Sequence, residues 1–522
     1  AINAKILRER KGAFYTPQIW VELSQKYLAD VLGENWQDDY TVWDCAAGTG
    51  NLLTGLTNKY NIWASTLDKQ DVDVMKDRIA NGANLLESHV FQFDFLNDDF
   101  SKLPKGLLNI INDAEKRKKL VIYINPPYAE ASDRATVVAK GENKTAVATE
   151  KGVYHEYNNL VGTAARELFT QFFVRIYQKI PDSNLASFST LKYINAQNFE
   201  KFRNYFKAKF LGGFLVPANT FDNVAGHFPI GFTIWNLEIH NSITKVIYDV
   251  YNSDAIFQGK KSFFTIKKEK YIIHWLREYY DKNNESIGYL RMQGTDMQNN
   301  QGIFFTATPS ANDLKKHLLA HITKYNLIYM CIYLSVRHNL KATWLNDRDQ
   351  FLYPNNKWKK DKQFQTNCLT FALFHGQNKI TVKGGVNHWI PFTEYEVNAP
   401  DKFDSHFMSQ FIKGQLKPSG NGNVFGKKKL HNEPLEFSAE AQAVFDAGRE
   451  LWQYYLSKPD CNVNAALYDI REYFQGRNSG GKMNNKSDDE QYTLLMNALK
   501  YSLKELSKKI EPKIYEYGFL MQ

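Results

Sequence analysis

The chain has 522 residues, of which 43% are hydrophobic and 14% aromatic, so it can bury the cores of two or three domains. Its longest nearly apolar run, Asn326 to Val336, is too short to span a bilayer, and its four cysteines are scattered without a CxxC or a His-rich neighbour. We therefore expect no membrane segment, no disulfide framework and no bound metal, and a reducing cytoplasm as the location. The net charge is +9, and all of the excess lies after residue 240 because the residues before it are electrically balanced. Such an excess is typical of a region that binds a polyanion, and equally of a basic surface that favours solubility.

The first predicted element is an amphipathic helix in "TPQIWVELSQKYLADVLG", with Thr16 as its cap and Pro17 at its first position. Between residues 40 and 237, short apolar runs then alternate with helix-period segments such as Val72 to Ile79 and Ala165 to Ile180. The runs are "YTVWD", "NIWASTLD", "HVFQFDFL", "LVIYINPPY", "NLASFST", "FLGGFLVP" and "PIGFTIWNL". This alternation predicts an α/β fold with a doubly wound, mostly parallel sheet, whose last two strands form an antiparallel hairpin at the edge.

The pattern changes after residue 240. Strand-like pieces rich in Tyr, Phe and Lys mix with short helices up to residue 433, which predicts an α+β domain, and residues 434–522 are predicted to be helical. Ser438 is the expected cap of one of these helices, and Ser487 with Glu490 is expected to form a capping box for the last one. Two loops of the α+β region carry candidate DNA-binding lysines: Lys357, Lys359, Lys360, Lys427, Lys428 and Lys429.

A turn of small residues follows the first strand of the α/β region. In "VWDCAAGTGNLL" the strand ends at Asp44, a loop of five small residues spans Ala46 to Gly50, and Asn51 to Leu53 are predicted to open a helix. Small residues at the carboxyl edge of a parallel sheet let a ligand approach the backbone. The loop matches neither the Walker pattern nor GxGxxG, and this mismatch disfavours nucleoside triphosphates and NAD as its ligands. Taken alone, it is equally consistent with a structural tight turn.

Polar residues recur where the neighbouring strands end. Asp68 and Asp94 lie at the ends of the second and third runs, and Asn125 lies at the end of the fourth. Successive strand ends of a doubly wound sheet lie side by side, so these residues and Asp44 are expected to line one rim. A carboxylate suits ribose hydroxyls at the second strand end and an adenine amine at the third. A solvated helix cap is the simpler interpretation of any one of these residues alone.

The fourth run ends in Asn-Pro-Pro-Tyr, residues 125–128. Two prolines fix the chain direction, so Asn125 Oδ1 and the Pro126 carbonyl can both accept hydrogen bonds from one planar amine. These acceptors draw the nitrogen toward tetrahedral geometry and expose its lone pair, while the Tyr128 ring can stack on a base. The motif alone leaves adenine, cytosine and glutamine amines open as substrates.

These motifs together point to a family. The loop "DCAAGTG" resembles the S-adenosylmethionine loop of class I methyltransferases, and "NPPY" resembles the catalytic motif of DNA adenine amino-methyltransferases. "GAFYTP", Gly12 to Pro17, is similar to the N-terminal motif of the gamma-class DNA N6-adenine methyltransferases, and the motifs follow the order of that class. The resemblance covers about residues 1–240. It implies a methyltransferase domain there, a DNA target-recognition domain over 241–433, and a helical region over 434–522 that contacts DNA or packs on the recognition domain.

The resemblance also implies roles for individual residues. The residues implied for binding S-adenosylmethionine are Tyr15, Thr16, Pro17, Asp44, Ala46, Ala47, Gly48, Gly50, Asp68, Asp94 and Phe95. The catalytic residues would be Asn125, Pro126, Pro127 and Tyr128. A second aromatic wall for the target base is expected in "NTFDNVAGHFPIGFTIW", with Phe221 favoured and Phe228 as its competitor.

The function implied is site-specific methylation of N6 of a flipped adenine in duplex DNA, within a restriction-modification or epigenetic system. A cognate restriction endonuclease is a candidate partner. We find no convincing Asp plus Glu-x-Lys pattern of a nuclease, so the chain itself is expected to modify DNA and not to cut it. Two alternatives stay open. One is methylation of another planar amine, in an RNA base, at cytosine N4 or in a protein glutamine, and the other is a non-catalytic DNA-specificity component.

Overall fold

The computed structural model describes residues 15–128, 152–222, 224, 226–418 and 430–521. The chain forms two compact units, of which the first runs to Lys268 and includes Thr343–Arg348. The second comprises Glu269–Ala342 and Asp349–Gln522. The first unit therefore extends past the predicted boundary at residue 240, and residues 434–522 belong to the same compact unit as most of the α+β region.

The first unit is built on a nine-stranded sheet in the order β3-β2-β1-β4-β5-β7-β6-β8-β9. Its strands are β1 (Thr41–Asp44), β2 (Ile62–Thr66), β3 (Val90–Gln92), β4 (Leu120–Ile124), β5 (Asn184–Thr190), β6 (Lys209–Pro217), β7 (Pro229–Asn236), β8 (Lys245–Tyr251) and β9 (Phe257–Phe264). Strands β1 to β5 pair in parallel, whereas β7 is antiparallel to both β5 and β6. The first seven strands have the order of the class I methyltransferase fold, so the predicted fold class is confirmed.

Helices cover both faces of this sheet. They are α1 (Gln18–Leu32), α2 (Trp36–Asp39), α3 (Lys69–Ala80), α4 (Lys105–Asn112), α5 (Ala114–Lys118), α6 (Gly152–Val161), α7 (Leu168–Lys179), α8 (Lys192–Asn195) and α9 (Glu200–Tyr205). Strand β4 is buried throughout, and its side chains alternate between two cores: Val121 and Tyr123 pack with Trp20 of α1, while Ile122 and Ile124 pack with Phe169 of α7. A continuous apolar run is what a parallel strand covered on both faces requires.

Two local predictions need correction. The predicted helix at Asn51 is a single 3-10 turn, Asn51–Leu53, after which the chain continues as irregular structure toward β2. The β6–β7 hairpin forms as predicted but lies inside the sheet, because β8 pairs in parallel with β6 and β9 pairs with β8. The edge is thus a second hairpin, made of residues that the pattern had assigned to the next domain.

The second unit combines a small antiparallel sheet with helices. Its strands are β10 (Gly288–Arg291), β11 (Phe304–Thr306) and β12 (Leu319–Ile322), in the order β11-β10-β12. Its helices are α10 (Ile272–Arg277), α11 (Ala311–Lys315), α12 (Leu327–Asn339), α13 (Lys362–Leu373), α14 (Phe407–Ile412), α15 (Ala439–Leu456), α16 (Leu467–Gln475) and α17 (Glu490–Glu516). One apolar cluster joins the sheet to all of these helices except α11. Within the described ranges, no helix is both long enough and apolar enough to cross a membrane.

Candidate active site

The four polar residues predicted at strand ends lie along one edge of the sheet. Asp44 is the last residue of β1 and Asn125 follows β4 directly, while Asp68 and Asp94 each come two residues after their strands. Because the order β3-β2-β1-β4 is parallel throughout, the side chains follow one another along the carboxyl edge as Asp94, Asp68, Asp44 and Asn125. This is the edge where open α/β sheets bind ligands.

The small-residue loop after β1 has a defined shape. Gly48 and Gly50 have φ angles of 52° and 77°, a region that side-chain-bearing residues rarely occupy. The Ala47 amide donates to the Ser65 carbonyl at 3.0 Å, which ties the loop to β2. A Cβ built on Gly48 would find no heavy atom within 4 Å. The loop therefore leaves open space beside its backbone, which a small ligand at this edge could occupy, and the half-buried Ala46 lies in the same turn.

Asp44 is a buried carboxyl at the base of this loop. It is 1% exposed, and its Oδ1 accepts a hydrogen bond from the Ala46 amide at 3.0 Å. Burial raises the pKa of Asp44 to about 8, although the Ala46 hydrogen bond opposes the shift. A buried carboxyl whose pKa lies near neutrality responds strongly to a positive charge brought to this edge, because such a charge favours the ionised form.

The next two acidic residues differ in their surroundings. Asp68 precedes α3 without capping it through its side chain. Asp94 closes the turn after β3: its Oδ1 accepts from the Leu96 amide at 3.1 Å and its Oδ2 accepts from Asn97 Nδ2 at 2.8 Å. The Phe95 ring is buried against Trp43, and only the Phe95 backbone can face the edge.

The Asn125 side chain of the NPPY motif is held at both ends, by Thr16 and by Tyr128. Asn125 Nδ2 donates to Thr16 Oγ1 at 2.7 Å, and the Tyr128 hydroxyl donates to Asn125 Oδ1 at 2.5 Å. Tyr128 lies three residues after Asn125, and the two prolines between these residues restrict the backbone that joins them. Burial raises the pKa of Tyr128 far above its ordinary value, so its hydroxyl remains a donor. Between these residues, Pro126 is buried and Pro127 is half-buried.

Thr16 links the three motifs. Its hydroxyl accepts from Asn125, and its carbonyl accepts from Asn51 Nδ2 in the turn after the small-residue loop. Thr16 is 3% exposed. Sequence reasoning predicted a helix cap here, but α1 begins at Gln18 with Pro17 as its cap residue and no side-chain capping bond. The buried hydroxyl instead positions the Asn125 amide. The neighbouring Tyr15 is half exposed, and the residues before it lie outside the described ranges.

Two aromatic residues of the β6–β7 loop reach this edge, because β6 runs parallel to β5 and ends on the same side. Phe221 is 2% exposed and packs edge to face on Phe188, with ring centroids 5.9 Å apart. Phe228 is half-buried and has the Arg348 guanidinium 5.4 Å from its ring centroid. Both belong to the apolar cluster that also contains Tyr128. Of the two rings, Phe228 is the more accessible.

Arg348 was not identified from the sequence. It belongs to the short segment Thr343–Arg348, which packs with the first unit although its chain neighbours belong to the second. Trp344 and Leu345 pack on one core of the sheet, and Asn195 Nδ2 donates to the Arg348 carbonyl at 3.0 Å. No local pattern distinguishes this segment, since its position depends on contacts with residues about 150 positions earlier in the chain.

Three of the predicted DNA-binding lysines are described and lie in the second unit. Lys357, Lys359 and Lys360, which we term the lysine triplet, are exposed around the 3-10 turn Lys357–Lys359. The turn is anchored by Trp358, which is 2% exposed and packs at right angles on Trp275. The triplet is therefore held at the surface by a buried aromatic residue. The other predicted lysines, Lys427, Lys428 and Lys429, lie outside the described residues.

Comparisons with known proteins give no family model and no curated protein that matches the chain. Among solved structures, the chain is similar to a type I restriction-modification methyltransferase subunit from Streptococcus thermophilus, with 17% identity, a TM-score of 0.32, and coverage of 51% of this chain and 53% of that one. It is also similar to the DrdV–DNA complex, with 17% identity, a TM-score of 0.36, and coverage of 48% and 31%. For the Type ISP restriction-modification enzyme LlaBIII bound to DNA, the identity is 9%, the TM-score 0.33 and the coverage 62% and 26%. The chain thus spans about a quarter to a half of the length of these structures.

Proposed function

We propose that the chain is an S-adenosylmethionine-dependent DNA methyltransferase that modifies the exocyclic N6 amine of adenine. The observation that carries the proposal is the Asn125 amide, which Thr16 and Tyr128 orient from opposite ends at the carboxyl edge of the sheet. An amide fixed in this way, next to a proline carbonyl, is suited to accepting hydrogen bonds from a planar amine. The small-residue loop lies on the same edge, after β1, the neighbouring strand of β4.

The residues of the edge fit S-adenosylmethionine. When bound, this cofactor supplies a methyl group activated by a sulfonium centre. Its positive charges suit the buried Asp44 carboxyl, and the open space at Gly48 allows close approach to the backbone. Asp68 would bind the ribose hydroxyls and Asp94 the adenine amine. The remaining proposed contacts are those of the loop and of the N-terminal motif: Tyr15, Thr16, Pro17, Ala46, Ala47, Gly50 and the Phe95 backbone.

The proposed mechanism relies on aligned acceptors. The lone pair of an adenine amine is delocalised into the ring, which makes the amine a weak nucleophile. Because Thr16 accepts a hydrogen bond from Asn125 Nδ2, the Oδ1 of that amide faces away from Thr16, on the side of Tyr128. Asn125 Oδ1 and the Pro126 carbonyl would accept the two amine hydrogens and draw the nitrogen toward tetrahedral geometry. The proton is lost after attack, so positioning provides most of the rate acceleration.

The target base must leave the duplex, at a cost of roughly a few kcal/mol. Stacking on an aromatic ring recovers about 1–3 kcal/mol per base. We assign Tyr128 as one stacking face and Phe228 as the other, because Phe228 is accessible whereas Phe221 is enclosed by the core. Phe221 would then support the pocket from behind.

Duplex DNA is the proposed macromolecular substrate, and the second unit, with the lysine triplet, the proposed region that binds it. Exposed lysines gain affinity for phosphates by releasing counterions. A restriction-modification system, with a cognate endonuclease as partner, is the proposed setting.

The test offers tritium-labelled S-adenosylmethionine with genomic DNA, total RNA and a glutamine-containing peptide in separate reactions. We expect the unmodified chain to transfer the label to DNA alone. The Asn125→Ala variant should transfer no label and should still bind the cofactor, as measured by calorimetry. Label in RNA or peptide would contradict the DNA assignment. Loss of cofactor binding in Asn125→Ala would contradict the assignment of Asn125 to catalysis.

A further inference from the structure

An open polar depression lies beside strands β10 and β11 of the second unit. Its volume is about 610 Å³, and amide and guanidinium groups dominate its lining. The residues that define the polar depression are Arg291, Gln293, Gln298, Asn299, Gln301 and Asn312. Gln298, Gln301 and Asn312 are exposed, whereas the other three are half-buried. The depression therefore presents an outer layer of exposed amides above an inner layer that the fold holds in place.

Arg291 organises the inner layer. Its Nε donates to Asp313 Oδ1 at 2.9 Å, and its Nη1 donates to Gln293 Oε1 at 3.0 Å and to the Gly302 carbonyl at 2.5 Å. Asp313 is in turn held by the Ser310 hydroxyl, which donates to its Oδ2 at 2.7 Å. The guanidinium of Arg291 is thus fixed by three different segments, and it orients the Gln293 amide.

Hydrogen bonds link the Gln293 amide to the Asn299 amide, and the Asn299 amide to Asp296. Gln293 Nε2 donates to Asn299 Oδ1 at 3.1 Å, and Asn299 Nδ2 donates to Asp296 Oδ1 at 2.6 Å. The Gln293 and Asn299 amides are therefore each held by protein partners at both the oxygen and the nitrogen. A side chain with defined donor and acceptor directions can discriminate between ligands that differ in their hydrogen-bonding pattern.

Two glycines make room for the network. A Cβ built on Gly302 would overlap Gln293 Oε1 and lie 2.8 Å from Arg291 Nη1, closer than non-bonded atoms approach. A Cβ on Gly294, whose φ is +53°, would lie 2.5 Å from Asn299 Nδ2. The backbone therefore closes directly under the amides, and any larger residue at position 302 would displace them. The Arg291–Gln293–Asn299 network is therefore packed directly against the backbone beneath it.

The charges of the depression are nearly balanced. Arg291 is paired with Asp313, and the additional cation, Lys379, lies over the Phe304 ring at 4.3 Å. A phosphate-binding surface concentrates positive charge, whereas base edges in the major groove present neutral donors and acceptors that Gln, Asn and Arg match. The chemistry of the lining therefore fits base edges better than the DNA backbone.

We propose that the polar depression reads base edges in the major groove of duplex DNA and thereby sets the site that the enzyme modifies, an inference that rests on the proposed function. Gln298, Gln301 and Asn312 make the direct contacts with the bases. The Arg291–Gln293–Asn299 network positions the surface on which they lie. The lysine triplet supplies affinity that does not depend on sequence.

The test selects bound molecules from a randomised duplex DNA library with the whole chain, so that recognition is measured without methyl transfer. The unmodified chain is expected to enrich one sequence motif. Gln298→Ala, Gln301→Ala and Asn312→Ala are each expected to lose about tenfold discrimination at one base position. The salt dependence of binding is expected to stay unchanged, because no phosphate-binding residue is removed. Gln491→Ala and Asn497→Ala, which remove exposed amides on α17, serve as matched controls and should leave the motif intact.

Gly302→Ala is a second variant, which displaces the inner network without changing charge and is expected to relax the motif at more than one position. If this variant fails to fold, the three exposed-amide variants still decide the question. An unchanged motif in all three, or no motif for the unmodified chain, would overturn the inference. If the chain methylates DNA at a specific site and the variants leave that site unchanged, the inference is overturned but the proposed function is not. A selected motif without any methyl transfer would overturn the proposed function alone.

Discussion

Replacing Thr16 with Val removes the hydroxyl that links the N-terminal motif to the Asn125 amide, and keeps the volume of the side chain. Thr16 Oγ1 accepts from Asn125 Nδ2 at 2.7 Å in a site where Thr16 is 3% exposed. The Thr16 carbonyl, which accepts from Asn51, is unaffected by the substitution. The variant therefore tests one hydrogen bond and leaves the contact with the turn after the small-residue loop in place.

The magnitude follows from the burial of this bond. Removing one partner of a buried hydrogen bond costs about 1–3 kcal/mol. If the Asn125 amide loses its orientation, this cost applies to the transition state, where it corresponds to about a 5- to 150-fold fall in kcat. The KM for DNA should change little, because Thr16 is a positioning residue in this respect. Thr16→Ser retains the hydroxyl and is expected to restore most of the rate.

The assay is steady-state methyl transfer to DNA with labelled cofactor, with thermal unfolding of each variant as the check on folding. A kcat for Thr16→Val within twofold of the unmodified chain would refute the positioning role. So would a Thr16→Ser variant as slow as Thr16→Val, because the defect would then arise from packing and not from the hydroxyl.

Three further predictions concern the cofactor edge, the base pocket and the DNA surface. Because burial raises the pKa of Asp44 to about 8, binding of the cationic cofactor at a lower pH requires release of the Asp44 proton. Calorimetry should therefore show a cofactor affinity that rises toward pH 8 by at most about tenfold per pH unit. Asp44→Asn should remove this pH dependence. Phe228→Ala should slow methyl transfer with little loss of stability. Phe221→Ala, which leaves a cavity in the core, should lower the free energy of unfolding by about 3–5 kcal/mol. Equal losses of stability in the two variants would contradict the assignment of Phe228 as the stacking residue. Replacing the lysine triplet with Ala should reduce the slope of log Kd against log salt by about 0.9 for each phosphate that these lysines neutralise, and an unchanged slope would exclude the triplet from the interface.

The edge of the sheet could be predicted from the sequence because each strand is a short apolar run with a visible end. Asp44, Asp68, Asp94 and Asn125 follow those ends, and parallel pairing brings them to one side. The order in which apolar runs and helix-period segments alternate along the chain was enough to predict the doubly wound, mostly parallel sheet. What the pattern could not supply was the length of the sheet beyond β7.

Strands β8 and β9 were missed as members of this sheet for a physical reason. The side chains of β8 alternate between buried and exposed positions, unlike those of β4, which are buried throughout. The change from continuous to alternating burial marks a strand near the solvent-exposed edge, and in sequence it resembles the start of a new domain.

Polar residues near helix starts were the least predictable. Ser438 caps α15 as predicted, with its hydroxyl accepting from the Ala441 amide. The cap of α17 is Asp489 and not the predicted Ser487, whose hydroxyl donates to the Phe474 carbonyl. Thr16 likewise bonds to a residue 109 positions away and not to its own helix. Hydroxyl groups have several local and distant partners available, and only the folded chain decides among them.

The ranking of Phe221 and Phe228 and the existence of the polar depression also depend on distant contacts. Phe221 is enclosed because Phe188 of β5 packs on it. The depression joins residues from β10 to the loop after α13 through the register of β10 with β11, in which Arg291 pairs with Phe304. Neither relation leaves a short-range pattern in the sequence.

The Asn125 site is proposed to place a methyl group on adenine N6 in DNA. Mass spectrometry tests this on nucleosides from duplex DNA that is digested after incubation with the chain and a deuterium-methyl cofactor. We expect deuterated N6-methyladenine as the product, and its absence when Asn125→Ala is used. Deuterated N4-methylcytosine, or N6-methyladenine made equally well by Asn125→Ala, would contradict it.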